Sequence, residues 1–389
     1  MGVADFLPYA VTASFPFSVI PLFILMGYFA FHAGLTRDIF TTARTWVGHF
    51  PGGLAVATCF GSAGFAACSG SSTAAAAVMG KVTIPEMRRY GYDPKLAAGA
   101  VAASGTIASM IPPSVVIVIY GVITEQSVGT LLIAGFIPGI LEAILYGGMV
   151  FTRCRVNPTL GAALPATSWK EKLISLRRVW GMLVLMAIIL GGIYAGVFTP
   201  TEAGGIGAAG ALIMALSLRR LNWSDFKVSI LETGKTTAMI FAIMVGVLIM
   251  LRLFALSGLT GALTTLMLGL PWPRLGILVV ILLLYVFLGT FLNVTGMLMV
   301  TLPLIFPVVV GLGYDPIWFG IIAVRMCEIA FITPPVGINV YAVRAVAPDI
   351  AVEDIFRGTF WFLAMDFLGL VLLIAFPAIA LWLPSTMRG

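Results

Sequence analysis

The stretch PEMRRYGYDPKLAAGAVAASGTIASMIPP at 85–113 has an echo at 307–335, PVVVGLGYDPIWFGIIAVRMCEIAFITPP. Pro85 aligns with Pro307, the GYDP of 91–94 with that of 313–316, and Pro112–Pro113 with Pro334–Pro335, always 222 positions apart. Three landmarks at one offset mean that a single unit occurs twice. A double proline removes backbone donors and clashes with the preceding turn, so each copy contains a helix that must break. Duplicated units with interrupted helices in an apolar chain point to a secondary transporter, where binding sites form at the unwound segments.

The composition sets the solvent. With 60% hydrophobic and 10% charged residues over 389 positions and a mean hydropathy of +1.08, the chain is too apolar for a soluble globular protein and must live in a lipid bilayer. Apolar runs at 15–31, 129–151, 179–198, 236–257 and 359–383 are each long enough to span it. They lack the alternation of a barrel, so the expected class is an all-α polytopic membrane protein. The first run reads as an ordinary span rather than a cleavable signal. The net charge of +6 sits in short loops between spans, which is the footprint of membrane topology and not of a nucleic-acid partner. Cys59, Cys68, Cys154 and Cys327 are scattered, with only His32 and His49 to join them. No transition-metal centre or disulfide framework is expected from that pattern. Catalytic signatures such as GxSxG and HExxH do not occur, which argues against an enzyme. A formal GxGxxG from Gly205 to Gly210 follows no strand and opens a span, so close helix packing explains it better than a dinucleotide.

Each copy is expected to contain one span, one re-entrant hairpin and one proline-broken helix. The first copy would place these at 15–34, 48–88 and 95–124, and the second at 236–257, 274–311 and 317–345. Three further spans, 129–151, 179–198 and 204–218, would separate the copies. The segments that this threading puts on one side hold 18 of the 22 basic residues. The other side has Arg252, Arg274 and Arg388, with Arg325 at membrane depth. By the positive-inside rule the first hairpin opens from the cytoplasm and the second from outside, making an inverted repeat. The longest polar loop, 152–178, is too short for a soluble domain.

The first hairpin tip reads CSGSST, Cys68 to Thr73, and in the second copy Ser71 and Thr73 map onto Asn293 and Thr295. Small hydroxyl and amide residues at a turn let oxygens converge, which suits a hard, weakly held cation such as sodium. Each tip is expected to face its double proline, where freed carbonyls and a new helix N-terminus can meet a cation and an anion. Arg325 and Glu328 lie three residues apart at membrane depth, where ionisable groups are costly and usually functional. They can pair with each other; alternatively Arg325 contacts a substrate carboxylate and Glu328 takes part in coupling. Glu142, Glu202 and Asp366 read as isolated carboxylates that pack helices or mark an interface. Ser72 and Thr73, with Arg325, are the candidate substrate contacts.

FAACSGSSTAAAAVMGKVTIPEM at 65–87, SGTIASMIPPSVVIVIYG at 104–121, RMCEIAFITPPVGINVY at 325–341, FPFSVIPLFILMGYFAFHAGLT at 15–36 and FTPTEAGGIGA at 198–208 occur in the order of the large membrane subunit of tripartite ATP-independent periplasmic (TRAP) transporters. The resemblance to this DctM-like family covers nearly the whole chain. It implies an elevator-type, sodium-coupled importer of organic acids in the bacterial inner membrane. Its partners would be a small four-helix membrane subunit and a periplasmic substrate-binding protein. It also implies sodium ligands around the first tip (Ser69, Ser71, Ser104, Gly105, Pro112) and the second (Asn293, Thr295, Cys327, Thr333, Gly337), with Glu202 as the scaffold TEAG glutamate. Three departures stand out. Ala74 to Ala77 follow the first tip where many members have an acid, Asn293 replaces an aspartate, and the span usual before 15–34 is not seen. Neutral tips still suit sodium but argue against proton coupling through them. The resulting plan has a span and arm at 1–47, transport halves at 48–128 and 258–347, scaffold spans at 129–257 and a last span at 348–389. A stand-alone sodium-coupled dicarboxylate symporter of similar plan is the rival reading.

Overall fold

The computed structural model describes residue 9 and residues 13–387, with the side chains of 67–69 outside the description. Among the described residues it holds seventeen α-helices and no strand. In chain order these are α1 (Val19–His32), α2 (Leu35–Val47), α3 (Gly53–Ser69), α4 (Ser72–Arg89), α5 (Pro94–Ser104), α6 (Val115–Ile123), α7 (Val128–Val156), α8 (Trp169–Tyr194) and α9 (Pro200–Ser217). There follow α10 (Trp223–Leu256), α11 (Leu259–Leu268), α12 (Arg274–Gly289), α13 (Val294–Gly311), α14 (Pro316–Ile332), α15 (Ile338–Val346), α16 (Val352–Ala375) and α17 (Ala378–Ser385). Among the described residues, six helical stretches are long and apolar enough to cross a membrane, the first of them running from Phe15 to His32.

The 222-residue offset carries the fold. It superposes α2 on α11, the hairpin α3–α4 on α12–α13, and the broken helix α5–α6 on α14–α15. It also superposes α7 on α16, so the repeat runs one span further than the sequence reading gave it. The fold is an inverted repeat with two re-entrant hairpins and two proline-broken helices. Some limits differ from expectation. α10 begins at Trp223, because Asn222 caps it by accepting from the Asp225 amide. The loop expected at 152–178 shrinks as α7 runs to Val156 and α8 starts at Trp169 behind a Ser168–Glu171 capping box. The last span divides at Phe376–Pro377.

The GYDP motif is a stop, a cap and a start. Gly91 and Gly313 adopt φ of +70° and +79°, which ends the hairpin arm in the left-handed region that only glycine enters without cost. Asp93 and Asp315 then cap α5 and α14, accepting from Leu96 N at 2.9 Å and Trp318 N at 2.8 Å. Pro94 and Pro316 stand at the first helical position, where a missing N–H costs nothing. Between them Tyr92 accepts from Leu54 N and donates to Ala162 O, and burial pushes its phenol up to about 12.

The halves interlock. α6 packs on α13 of the other copy, and α15 packs on α4, so each half-helix beyond a break lies on the partner hairpin. Tyr120 donates to Pro316 O at 2.7 Å and Asn339 to Ala102 O at 3.1 Å across that junction. α5 and α16 approach closely because a Cβ at Gly99 would stand 2.4 Å from the carbonyl carbon of Gly358. In α9, Gly204 and Gly207 let α1 approach: a Cβ at Gly207 would meet Met26 Sδ at 2.5 Å. That is the packing role expected for the GxGxxG segment. Four ion pairs, Arg44–Glu86, Arg88–Asp349, Lys95–Asp354 and Arg220–Asp38, join segments that charge counting put on one side.

Candidate functional site

A cavity of about 650 Å³ lies between the hairpins, the breaks, and helices α1 and α10. The first residues of four helices line it: Ser72 of α4, Val115 of α6, Val294 of α13 and Ile338 of α15. Four helix N-termini, each carrying a partial positive charge, thus converge on one space. The remaining polar lining comes from Ser71, Thr73, Ser109, Thr236, Asn293, Thr295 and Glu328. Tyr28 and Phe31 of α1, with Met239 and Ile240 of α10, make the opposing apolar wall. This arrangement suits a small anion with an apolar body.

The two copies treat their breaks differently. At the first, Gly70 turns with φ +56° and a Cβ there would stand 2.7 Å from Pro113 O, so the tip is seated on its double proline. Gly105 is equally committed, since a Cβ there would stand 2.8 Å from Ser72 O. Pro112, Pro113 and Ser114 are buried, whereas Pro334 and Pro335 are exposed.

The description that matches residues 4–379 of the chain is the DctM component of tripartite ATP-independent periplasmic transporters. The chain belongs to this DctM family. The C4-dicarboxylate TRAP transporter large permease DctM of Pseudomonas aeruginosa is 37% identical, over 94% of this chain and 85% of that protein. The sialic acid TRAP transporter large permease SiaM of Vibrio cholerae is 35% identical over 97% of this chain and 88% of its own length. The 2,3-diketo-L-gulonate large permease YiaN of Escherichia coli is 29% identical over 94% of this chain. Among solved structures, the Alcanivorax borkumensis YdaH transporter superposes with a TM-score of 0.68 at 16% identity, covering 99% of this chain and 89% of YdaH. That likeness concerns the fold alone. As a DctM protein, the chain is a TRAP large permease component, multi-pass in the inner membrane.

The sodium candidates of this DctM chain fall into three groups. Ser71, Asn293 and Thr295 line the cavity together with Ser72 and Thr73. Ser71 is the N-cap residue of α4 yet makes no capping bond, and its hydroxyl lies 3.5 Å from Thr73 Oγ1. Asn293 does cap its helix, accepting from Gly296 N at 2.7 Å. Ser104, Gly105 and Pro112 lie buried behind the first tip, where Ser104 Oγ accepts from Ser62 Oγ at 2.9 Å. Cys327, Thr333 and Gly337 lie on α14 and the second break but outside the cavity lining, and the Thr333 hydroxyl donates to Ile329 O at 2.6 Å. The Ser69 side chain lies outside the described residues. Neutral hydroxyl, amide and carbonyl oxygens fit a hard monovalent cation.

Arg325 sits elsewhere. Its side chain is 3% exposed, does not line the cavity, and is paired with Glu142 of α7 and Asp366 of α16 rather than with Glu328. The expectation that these two carboxylates are isolated is corrected: Glu142 also accepts from Thr106 Oγ1 at 2.8 Å, and Asp366 from Tyr146 OH. The physical reason is the low-dielectric interior, which draws a buried cation and buried anions together. Residues 142 and 366 are 224 apart and could be joined only once the helices were in place. Glu202, by contrast, is exposed in a capping box, its Oε2 accepting from Thr199 N and Oγ1, each at 2.8 Å. Ser109 is a cavity residue beyond the expected candidates, and its place three residues before the double proline is the signal that marks it. Tyr28 and Thr236 carried none, since nothing local distinguishes a cavity-facing position on an apolar span.

Proposed function

We propose that this chain is the translocating subunit of a sodium-coupled importer of small organic acids. A small four-helix membrane subunit and a periplasmic substrate-binding protein would be its partners. The observation that carries the reading is the convergence of four helix N-termini on one cavity bounded by both hairpin tips. A carboxylate placed there is stabilised by four sets of backbone amides without any basic side chain. The substrates named for the relatives, C4-dicarboxylates, sialic acid and diketogulonate, share a carboxylate, which supports that class. An isethionate TRAP permease of Oleidesulfovibrio alaskensis, 33% identical, is a DctMQ chain of which this chain spans 58%. The unmatched remainder there leaves room for a second membrane component, which supports a separate small subunit here.

Sodium would bind among the tip oxygens, Ser71 and Thr73 in one copy and Asn293 and Thr295 in the other. Transport would proceed as an elevator. The hairpins and broken helices carry the cavity as one body past the arms and the long helices α8, α9 and α10. The test is reconstitution in liposomes with the small subunit, adding the binding protein and a sodium gradient separately. Uptake of a radiolabelled dicarboxylate is expected only with both. Full-rate uptake with neither would overturn the proposal.

A further inference from the structure

Glu328 is the one charged residue that lines the cavity among the described residues. It is fully buried, its Oε2 accepts from Ser72 Oγ at 2.5 Å, and its Oε1 has no hydrogen-bond partner. Ser72 Oγ lies 2.6 Å from Ser109 Oγ, and Ser109 O accepts from Ser114 Oγ at 2.6 Å. Among the described residues no basic side chain forms an ion pair with the carboxylate. The nearest one in sequence, Arg325, has its two terminal nitrogens taken by Glu142 and Asp366. A buried carboxylate without a counter-charge is costly, and this one stands beside the space where an anion would enter.

We infer that Glu328, Ser72 and Ser109 form a cation site for one sodium-sized monovalent ion, distinct from the Ser71, Thr73, Asn293 and Thr295 oxygens proposed above. The site joins the repeats, because Ser72 and Ser109 belong to the tip and break of the first copy while Glu328 lies on α14 of the second. One carboxylate among neutral hydroxyls balances a single positive charge; a divalent ion would call for more anionic oxygens. The cation turns a repulsive wall into a neutral one. An organic acid then meets the helix N-termini without an opposing carboxylate, so the anion binds well only when the cation is present. That is thermodynamic coupling between cation and anion, and it is reciprocal.

This inference rests on the sodium coupling proposed above and adds residues to it. The experiment measures binding of radioactive sodium to the purified full chain in detergent, with no organic acid present. Wild type is compared with Glu328→Gln, Ser109→Ala, Ser71→Ala and Asn293→Ala. Glu328→Gln is expected to lose one sodium per chain, and Ser109→Ala to weaken one sodium at least tenfold, with size-exclusion profiles unchanged. Equal stoichiometry and affinity in wild type, Glu328→Gln and Ser109→Ala would overturn the site. If Glu328→Gln does not fold, Ser109→Ala and Ser72→Ala decide, and unchanged sodium affinity in both overturns it. Loss in Glu328→Gln with no effect of Ser71→Ala or Asn293→Ala would support this site and overturn sodium binding at the tips. Absence of sodium binding to wild type would overturn both.

Discussion

Ser71 and Asn293 occupy equivalent positions, yet only Asn293 spends its oxygen on its own helix. Ser71→Ala therefore removes a proposed ligand without removing a cap, and it is expected to weaken sodium activation of uptake several-fold while expression and thermal stability hold. Asn293→Ala should weaken activation and also lower stability by about 1 kcal/mol, the usual value of an N-cap. Unchanged sodium activation in both would sink the tip assignment. Arg325 makes the opposite case. Arg325→Met leaves Glu142 and Asp366 buried without a counter-ion, and breaking a buried pair this way costs about 3–5 kcal/mol. The expected result is a large fall in melting temperature in detergent, with Arg325→Lys falling less. A stable Arg325→Met protein with a raised KM would instead mark a substrate contact.

At the scale of elements, α5 and α16 cross with glycine backbone against glycine backbone at Gly99 and Gly358. Gly99→Val would push a branched side chain into the Gly358 backbone, which no rotamer of a neighbour can relieve. Overpacking of this kind costs about 1–3 kcal/mol when side chains can yield, and more is expected here. The variant should fail to give a monodisperse peak, whereas Gly205→Ala, whose Cβ would meet nothing within 4 Å, should behave as wild type. Helix limits were legible where a local signal marks them. The GYDP stop and cap, the Ser168–Glu171 and Thr199–Glu202 capping boxes and the two double prolines each act within a few residues. The start of α10 was misplaced because apolar runs report where lipid begins, and a helix can extend beyond the membrane behind a cap such as Asn222.

For the whole molecule, the elevator proposal makes a mechanical prediction. A Cβ at Gly61 of the first hairpin would stand 3.6 Å from the Phe40 Cα of arm α2, within reach of a disulfide. Oxidising a Gly61→Cys, Phe40→Cys pair should abolish uptake in liposomes, and reduction should restore it. Cross-linking that proceeds to completion while uptake continues unchanged would show that hairpin and arm do not move past each other.

Duplication, inversion, helix breaks and membrane residence follow from the chain alone, because each is written in local chemistry. Proline spacing, apolar length, loop charge and capping residues act over a few positions and need no partner. The sequence also pointed to the tips, since oxygen-rich turns recur at repeat-related positions, each with its own double proline. Which groups Arg325 and Glu328 touch was decided only by tertiary structure. On one helix they look like a pair three residues apart, but folding brings Glu142 and Asp366 to the arginine and Ser72 to the glutamate. Charges in a low-dielectric interior respond to whatever packing places nearest, and those neighbours lie some forty to two hundred and fifty positions away.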